Sequence, residues 1–283
     1  MPSAFIFISP KIFSPPLASR DILSLQNARG GDSVAFQTVF KRYELKYLLT
    51  LEQKGRILEA MAPYMELDRY GRSGVRNIYF DTDNYRLIRR SIEKPIYKEK
   101  LRIRSYSRAS ADSTVFVELK KKYEKVVYKR RLPLCERDAM AWVCRESPCP
   151  VSTQISREID YFLALYGSLR PTVFLSYERE AYYDKGGGDF RVTFDDTILC
   201  RQTDVNLCSF VYGTPILPEG KVLMELKCSG GIPLWMVEVL SRERIYKTSF
   251  SKYGTAYEKL IFPEIYLPNR AKHKEIITNG CNI

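Results

Sequence analysis

The chain has 283 residues, 45% hydrophobic and 13% aromatic, enough to bury a sizeable core in one large domain or two small ones. Its net charge of +12 implies an anionic partner, whether nucleic acid, phosphorylated metabolites or an acidic membrane surface. A lone histidine, His273, and seven cysteines without CxxC spacing argue against His-based catalysis, a His-ligated metal, a zinc site and a disulfide framework; no apolar run approaches the roughly 18 residues of a membrane span.

Residues 1–35 are expected to be a flexible or spurious extension. Pro10, Lys11, Pro15 and Pro16 interrupt the apolar patch Ala4–Ile8, and no charged segment precedes it as in a signal peptide. A first strand is expected over Val39–Leu48, carrying Lys41, Glu44 and Lys46. Thr50, with Gln53 three residues on, has capping-box spacing and opens a helix bearing Ile57, Leu58 and Met61, ended by Pro63. A second strand follows over Arg76–Asp81 and a short helix over Asp83–Arg90. Ile96–Ser107, Thr114–Lys122 and Val126–Leu134 read as a three-strand meander. Two helices come next, Glu136–Arg145 and Ser152–Tyr166, the second capped by Ser152 and stopped by Gly167. Strands over Thr172–Tyr183 and Phe190–Asp195 flank Gly186–Gly188, a hairpin turn and not a phosphate loop, because no Lys-Ser/Thr follows it. The last strand is expected at Lys221–Cys228, followed by helices over Pro233–Arg244 and up to Phe262, then a polar tail over 264–283. No linker or repeat divides 36–263, so one domain is expected there.

The strand segments share a pattern. Arg102 and Arg104 flank Ile103, and the same alternation recurs as Glu44-Leu45-Lys46, Glu118-Leu119-Lys120, Lys129-Arg130-Arg131 and Glu225-Leu226-Lys227. Residues two apart lie on one face of a strand but about 200° apart around a helix, so these charges share sheet faces. The meander alone carries Lys98, Lys100, Arg102, Arg104, Glu118, Lys120, Lys122, Lys129 and Arg131 at period two. A solvated outer face explains any one triplet; their recurrence in separate strands points to a shared charged cavity.

Charges turned inward cost several kcal/mol each unless paired or wet. Surplus Lys and Arg on an inner face therefore require water or a polyanion. An α+β fold with a closed antiparallel barrel of about eight strands, a charged bore and flanking helices meets that demand and removes sheet edges. Arg forks and Lys point charges suit a chain of phosphates, and interleaved Glu residues (Glu44, Glu118, Glu225) would be repelled by it unless they hold a divalent cation. A nucleic-acid groove gains nothing from such acids, so nucleic acid is not expected as partner.

Phe40-Lys-Arg-Tyr-Glu-Leu-Lys-Tyr47, Ile78-Tyr-Phe-Asp81, Leu101-Arg-Ile-Arg-Ser-Tyr106, Val117-Glu-Leu-Lys120, Leu223-Met-Glu-Leu-Lys227 and Phe250-Ser-Lys-Tyr253, in this order, resemble the VTC domain. That is the polyphosphate polymerase domain of the vacuolar transporter chaperone complex and its prokaryotic relatives, within the triphosphate tunnel metalloenzyme (CYTH-like) superfamily. The resemblance runs over about 39–262. It implies a cytoplasmic enzyme that transfers the γ-phosphate of ATP to a growing polyphosphate chain, dependent on Mn²⁺ or Mg²⁺, and a membrane-embedded partner subunit in place of a membrane segment of its own. By the same resemblance Lys46, Arg102, Arg104, Lys120, Lys129 and Arg179 would bind phosphate, Glu225 would bind metal, and Ser251 and Lys252 would stand beside the phosphate chain. Arg102, Arg104, Lys120 and Lys252 are the candidate catalytic residues, with Arg131 and Lys227 added to the phosphate-binding set by their place in the alternation. Ser249 stands where the family often has a further lysine. Glu44-x-Lys46, in place of the Glu-x-Glu-x-Lys of hydrolases and cyclases, favours the polymerase branch; a triphosphate hydrolase and a non-catalytic polyanion binder are the alternatives.

Overall fold

The computed structural model describes residues 43–124 and 126–266. These belong to the second of two compact units into which the chain divides, Gln37–Ile283. The expected extension over 1–35, the start of the first strand at 39–42 and most of the polar tail lie outside the described residues.

Strand β1 (Tyr43–Thr50) runs into helix α1 (Leu51–Met61) through the expected capping box: Thr50 Oγ1 accepts from Gln53 N at 3.1 Å and Gln53 Oε1 from Thr50 N at 3.0 Å. β2 spans Met65–Asp81, more than twice the expected length, with Gly71 at positive φ in the irregular pairing between Leu67 and Arg72. Short helix α2 (Arg86–Ile92) begins where the Asp81 carboxylate accepts from the Leu87 and Ile88 amides at 2.8 and 3.0 Å. β3 (Tyr97–Ser105), β4 (Thr114–Tyr123) and β5 (Val126–Cys135) form the meander. Helices α3 (Glu136–Val143) and α4 (Gln154–Tyr166) follow; α4 is capped by Thr153 paired with Ser156, not by Ser152, and is stopped by Gly167 at φ 70°. The chain continues through β6 (Arg170–Asp184), β7 (Arg191–Arg201), the two-residue β8 (Thr214–Pro215), β9 (Lys221–Cys228) and α5 (Leu234–Arg242). A two-residue β10 (Lys247–Thr248) leads to α6 (Lys252–Ala256), a π-helical turn (Tyr257–Ile261) and α7 (Phe262–Tyr266).

All ladders are antiparallel, in the order β10-β1-β9-β7-β6-β2-β3-β4-β5, with β8 paired to β7. The α+β class stands, but the expected closed eight-strand barrel does not: among the described residues the sheet has ten strands, eight of them long, and ends at the open edges β5 and β10. It is nevertheless strongly curled. β1 and β4 lie six strand spacings apart, roughly 29 Å on a flat sheet, yet Lys120 Nζ of β4 reaches Glu44 Oε2 of β1 at 3.3 Å. Side chains thus meet where no backbone ladder closes. β10 is too short to pair widely, and β5 turns Lys129 and Arg131 inward, the kind of charge that blunts an edge strand.

Apolar packing fixes which face is concave. Outside, Ile78, Leu101, Ile103, Val117, Leu119 and Leu132 pack against Trp142 of α3 and Ile159, Phe162 and Leu163 of α4. The other half of the outer face, with Leu49, Val192, Phe194, Met224 and Leu226, packs against Ile57 and Met61 of α1 and Met236 and Val239 of α5. Inside, only part is apolar: Val75, Tyr79, Val173, Leu175, Tyr177 and Leu223 are covered by Ile88 of α2 and by Tyr253, Ala256, Tyr257 and Ile261 near the C-terminal end of the described chain. The rest of the concave face is charged.

Candidate functional site

Strand alternation and register assemble that charged face. Lys46 stands opposite Glu225 and Glu44 opposite Lys227 across β1 and β9. Arg179 faces Asp195 across β6 and β7. Arg102 faces Glu118, which in turn faces Arg131, while Lys120 faces Lys129, across β3, β4 and β5. Every candidate from the sequence lies either on this face or, for Ser251 and Lys252, at the start of α6.

The carboxylates organise the cations into two groups. In the first, the Glu118 side chain is 1% exposed and contacts Arg102 at 2.7 Å, Lys129 at 2.7 Å, Arg131 at 3.2 Å and Arg104 at 3.8 Å. Burial alone would raise its carboxyl, but Arg104, Arg102 and Lys129 hold it well below the usual range. The guanidinium groups are also aimed from behind: Arg104 donates to Asn77 Oδ1 at 2.9 Å and Tyr177 Oη at 3.1 Å, and Arg102 donates to Tyr79 Oη at 2.9 Å.

In the second group Glu225 meets Lys227 at 3.0 Å, Lys46 and Lys252 at 3.3 Å, and Arg179 at 3.5 Å. Asp195, fully buried, accepts from both ends of the Arg179 fork at 2.6 and 2.7 Å and from Lys252 at 2.5 Å. Burial opposes the charge on Glu225, yet Lys252, Lys46 and Lys227 keep its carboxyl far below normal. Burial likewise opposes the charge on Lys252, but Asp195 and Glu225 raise its amine. Lys252 is placed there by the Ser251 cap, whose Oγ accepts from Gly254 N at 3.1 Å. Tyr177 joins the groups: its ring lies 4.5 Å from the Lys252 amine while its hydroxyl receives Arg104. Glu44 spans the trough mouth between Lys46 and Lys120, both at 3.3 Å, and Lys120 holds its carboxyl below normal.

The three carboxylates expected to bind metal do not converge. Glu44 and Glu225 share Lys46, whereas Glu118 is enclosed by its own four cations, and no cluster of three or more His, Cys, Asp or Glu with metal-site geometry occurs among the described residues. Glu225 likewise meets four cations, and an Mg²⁺-like ion needs only one or two carboxylates, with its remaining oxygens from phosphates and water.

Several residues here escaped sequence reasoning. Asp195, at the end of an expected strand, revealed nothing of its partner Lys252, 57 residues on. Asn77 and Tyr79 are legible only as one side of an alternating strand, and Tyr177 reads as ordinary packing. Lys100, read from the sequence as one of the meander's period-two charges but not among the candidate site residues, shares the face of Arg102; its amine donates to Ser251 Oγ at 3.0 Å, and burial, then Lys120, Lys98, Lys46 and Arg102, push it down to about 7.

The VTC domain family model matches residues 41–261. Similar solved structures include a proposed adenylate cyclase from Bacillus halodurans (16% identity, 76% of this chain and 96% of that one, TM-score 0.49). Two others are a Pyrococcus horikoshii OT3 protein (14%, 77% and 99%, 0.38) and the Mimivirus capping enzyme triphosphatase (10%, 71% and 87%, 0.33). No curated protein matches the chain.

Proposed function

The chain belongs to the VTC domain family, and from that premise we propose that it is a polyphosphate polymerase, transferring the γ-phosphate of ATP to the end of a growing polyphosphate chain. One observation carries the reading most strongly. The concave face holds its carboxylates in ion pairs and still has Lys and Arg to spare, a surplus that a phosphate chain would offset.

On this reading Arg102, Arg104, Lys129 and Arg131 bind one stretch of phosphate, and Lys46, Arg179, Lys227 and Lys252 another, with Lys120 between them and Ser251 beside Lys100. The terminal phosphate oxygen of the chain attacks the γ-phosphorus, the bond to the β,γ-bridging oxygen breaks, and ADP leaves. The residues' part is to hold donor and acceptor in line and to offset the charge on the transferring oxygens. Glu225 and Glu44 would hold a divalent cation together with substrate oxygens; it supplies charge neutralisation at the phosphates. Fixed donors suffice for such chemistry and no covalent intermediate on the protein is required.

Among the described residues no helix is long and apolar enough to cross a membrane. A membrane-embedded partner subunit, a cytoplasmic location and a tunnel domain over 36–263 remain part of the proposal through the family. The test is to incubate the purified protein with ATP and Mn²⁺ and to follow ADP release together with polymer on a gel. Chains that lengthen with time and vanish with chelator support the polymerase. Orthophosphate without polymer moves the chain to triphosphate hydrolysis, and no turnover leaves a polyanion-binding module.

A further inference from the structure

Beyond Lys120 the concave face continues to the open end of the β3–β4 ladder, beside the β4–β5 hairpin, and there like charges stand opposite one another. Lys100 pairs in register with Lys120, and Lys98 with Lys122. Like charges directly opposite destabilise a sheet. Lys120 is offset by Glu44; Lys98 and Lys122 have no ion pair among the described residues. The Lys98 amine donates to the Ser91 carbonyl at 3.0 Å, and burial followed by Lys122, Lys120, Lys94 and Lys46, all of the same sign, lowers its proton affinity. The nearby buried acid, Glu99, points to the other face, where it pairs with Lys121 at 3.7 Å. At this end of the ladder, among the described residues, Lys98 and Lys122 on the concave side have no ion pair, whereas Lys121 on the opposite side is paired. Arg104, Arg102, Lys100 and Lys98 succeed one another at two-residue steps along roughly 20 Å of β3, longer than a triphosphate requires.

We propose that Lys98 and Lys122 form a track on which a long inorganic phosphate chain continues past the arginine site towards the β4–β5 hairpin, so that the protein distinguishes long chains from short ones. The inference rests on the reading of the concave face as a phosphate-chain site. It also gives the trough a polarity: the growing chain extends over the lysine end.

The test is a binding titration of the full chain and of Lys98→Gln/Lys122→Gln with two probes, tripolyphosphate and a polyphosphate of several tens of residues. The wild type is expected to bind the long chain more tightly than tripolyphosphate. In the double variant the long-chain Kd should rise about tenfold or more, the scale of one lost charge-assisted contact, while the tripolyphosphate Kd stays put. An unchanged long-chain Kd, or an equal loss for both probes, overturns the track and leaves the arginine site standing. Failure of the wild type to bind either probe overturns the phosphate-chain reading itself, and the track with it.

Discussion

Replacing Glu118 by Gln keeps the shape of the side chain and removes its charge. Four cations, at 2.7, 2.7, 3.2 and 3.8 Å, then lose their common counter-ion in a site where that side chain is 1% exposed. Breaking a buried pair in this way costs about 3–5 kcal/mol. For a domain of this size about 1 kcal/mol shifts Tm by roughly 2–4 °C, so Glu118→Gln should melt about 6–20 °C lower. The sign with pH follows from its depressed carboxyl: the stabilisation is complete above the unfolded value near 4.5 and is lost as pH falls towards the folded value. Tripolyphosphate should act as a replacement counter-ion. At a ligand concentration about 100 times the wild type's Kd the wild type gains about 2.7 kcal/mol, and the variant, whose four uncompensated cations bind the ligand more tightly, should gain more at that same concentration. Thermal unfolding of both proteins with and without tripolyphosphate reads this directly. An unchanged Tm without ligand, or equal ligand shifts in the two proteins, refutes the counter-ion role.

Arg104→Ala removes donors to Asn77 and Tyr177 as well as to substrate, and should lower turnover by about 10²–10³, the cost of one preorganised donor; near-normal steady-state rates would contradict its placement. Glu225→Gln should raise the Mn²⁺ concentration for half-maximal turnover about tenfold or more, read from metal titrations, and an unshifted midpoint removes Glu225 from the cation site. Lys100, pushed down to about 7, loses its charge as pH rises through neutrality while the unfolded chain still binds the proton. Tripolyphosphate binding should therefore take up protons near pH 8 and weaken above it, and calorimetry in buffers of different ionisation enthalpy should find this dependence reduced in Lys100→Gln. Asp81→Ala unpins two α2 amides and the Tyr253 hydroxyl, 2.9 Å away; loss of these buried bonds at about 1–3 kcal/mol per unsatisfied group should appear as a lower Tm.

The charged face was legible in the sequence because it is a local property. Arg102-Ile103-Arg104 states its own geometry, and Leu101 and Ile103 do pack outward against α3 and α4 while the arginines face in. What the sequence hides is pairing across distance. Glu118 shows its charge but not its four partners, so a counter-ion looks the same as a metal ligand. Asp195 and Lys252 come from β7 and the start of α6, joined only by the fold. The first half of β2 carries polar, largely exposed residues such as Glu66, Arg69 and Arg72, so no face alternates and its strand signal is lost. β8 and β10 are two residues long and have no period to read. Barrel closure is likewise non-local: whether β5 meets β1 depends on edge strands whose own sequences are indifferent to it.

The central claim, that the concave face receives a phosphate chain, is tested most directly by an experimental structure of the protein soaked with tripolyphosphate and Mn²⁺. The account predicts phosphate density between the Arg102–Arg104 pair and the Lys46–Lys252 group, with an anomalous Mn²⁺ peak at Glu225. Phosphate bound only on the outer, helix-covered surface, with the concave ion pairs undisturbed, would contradict it.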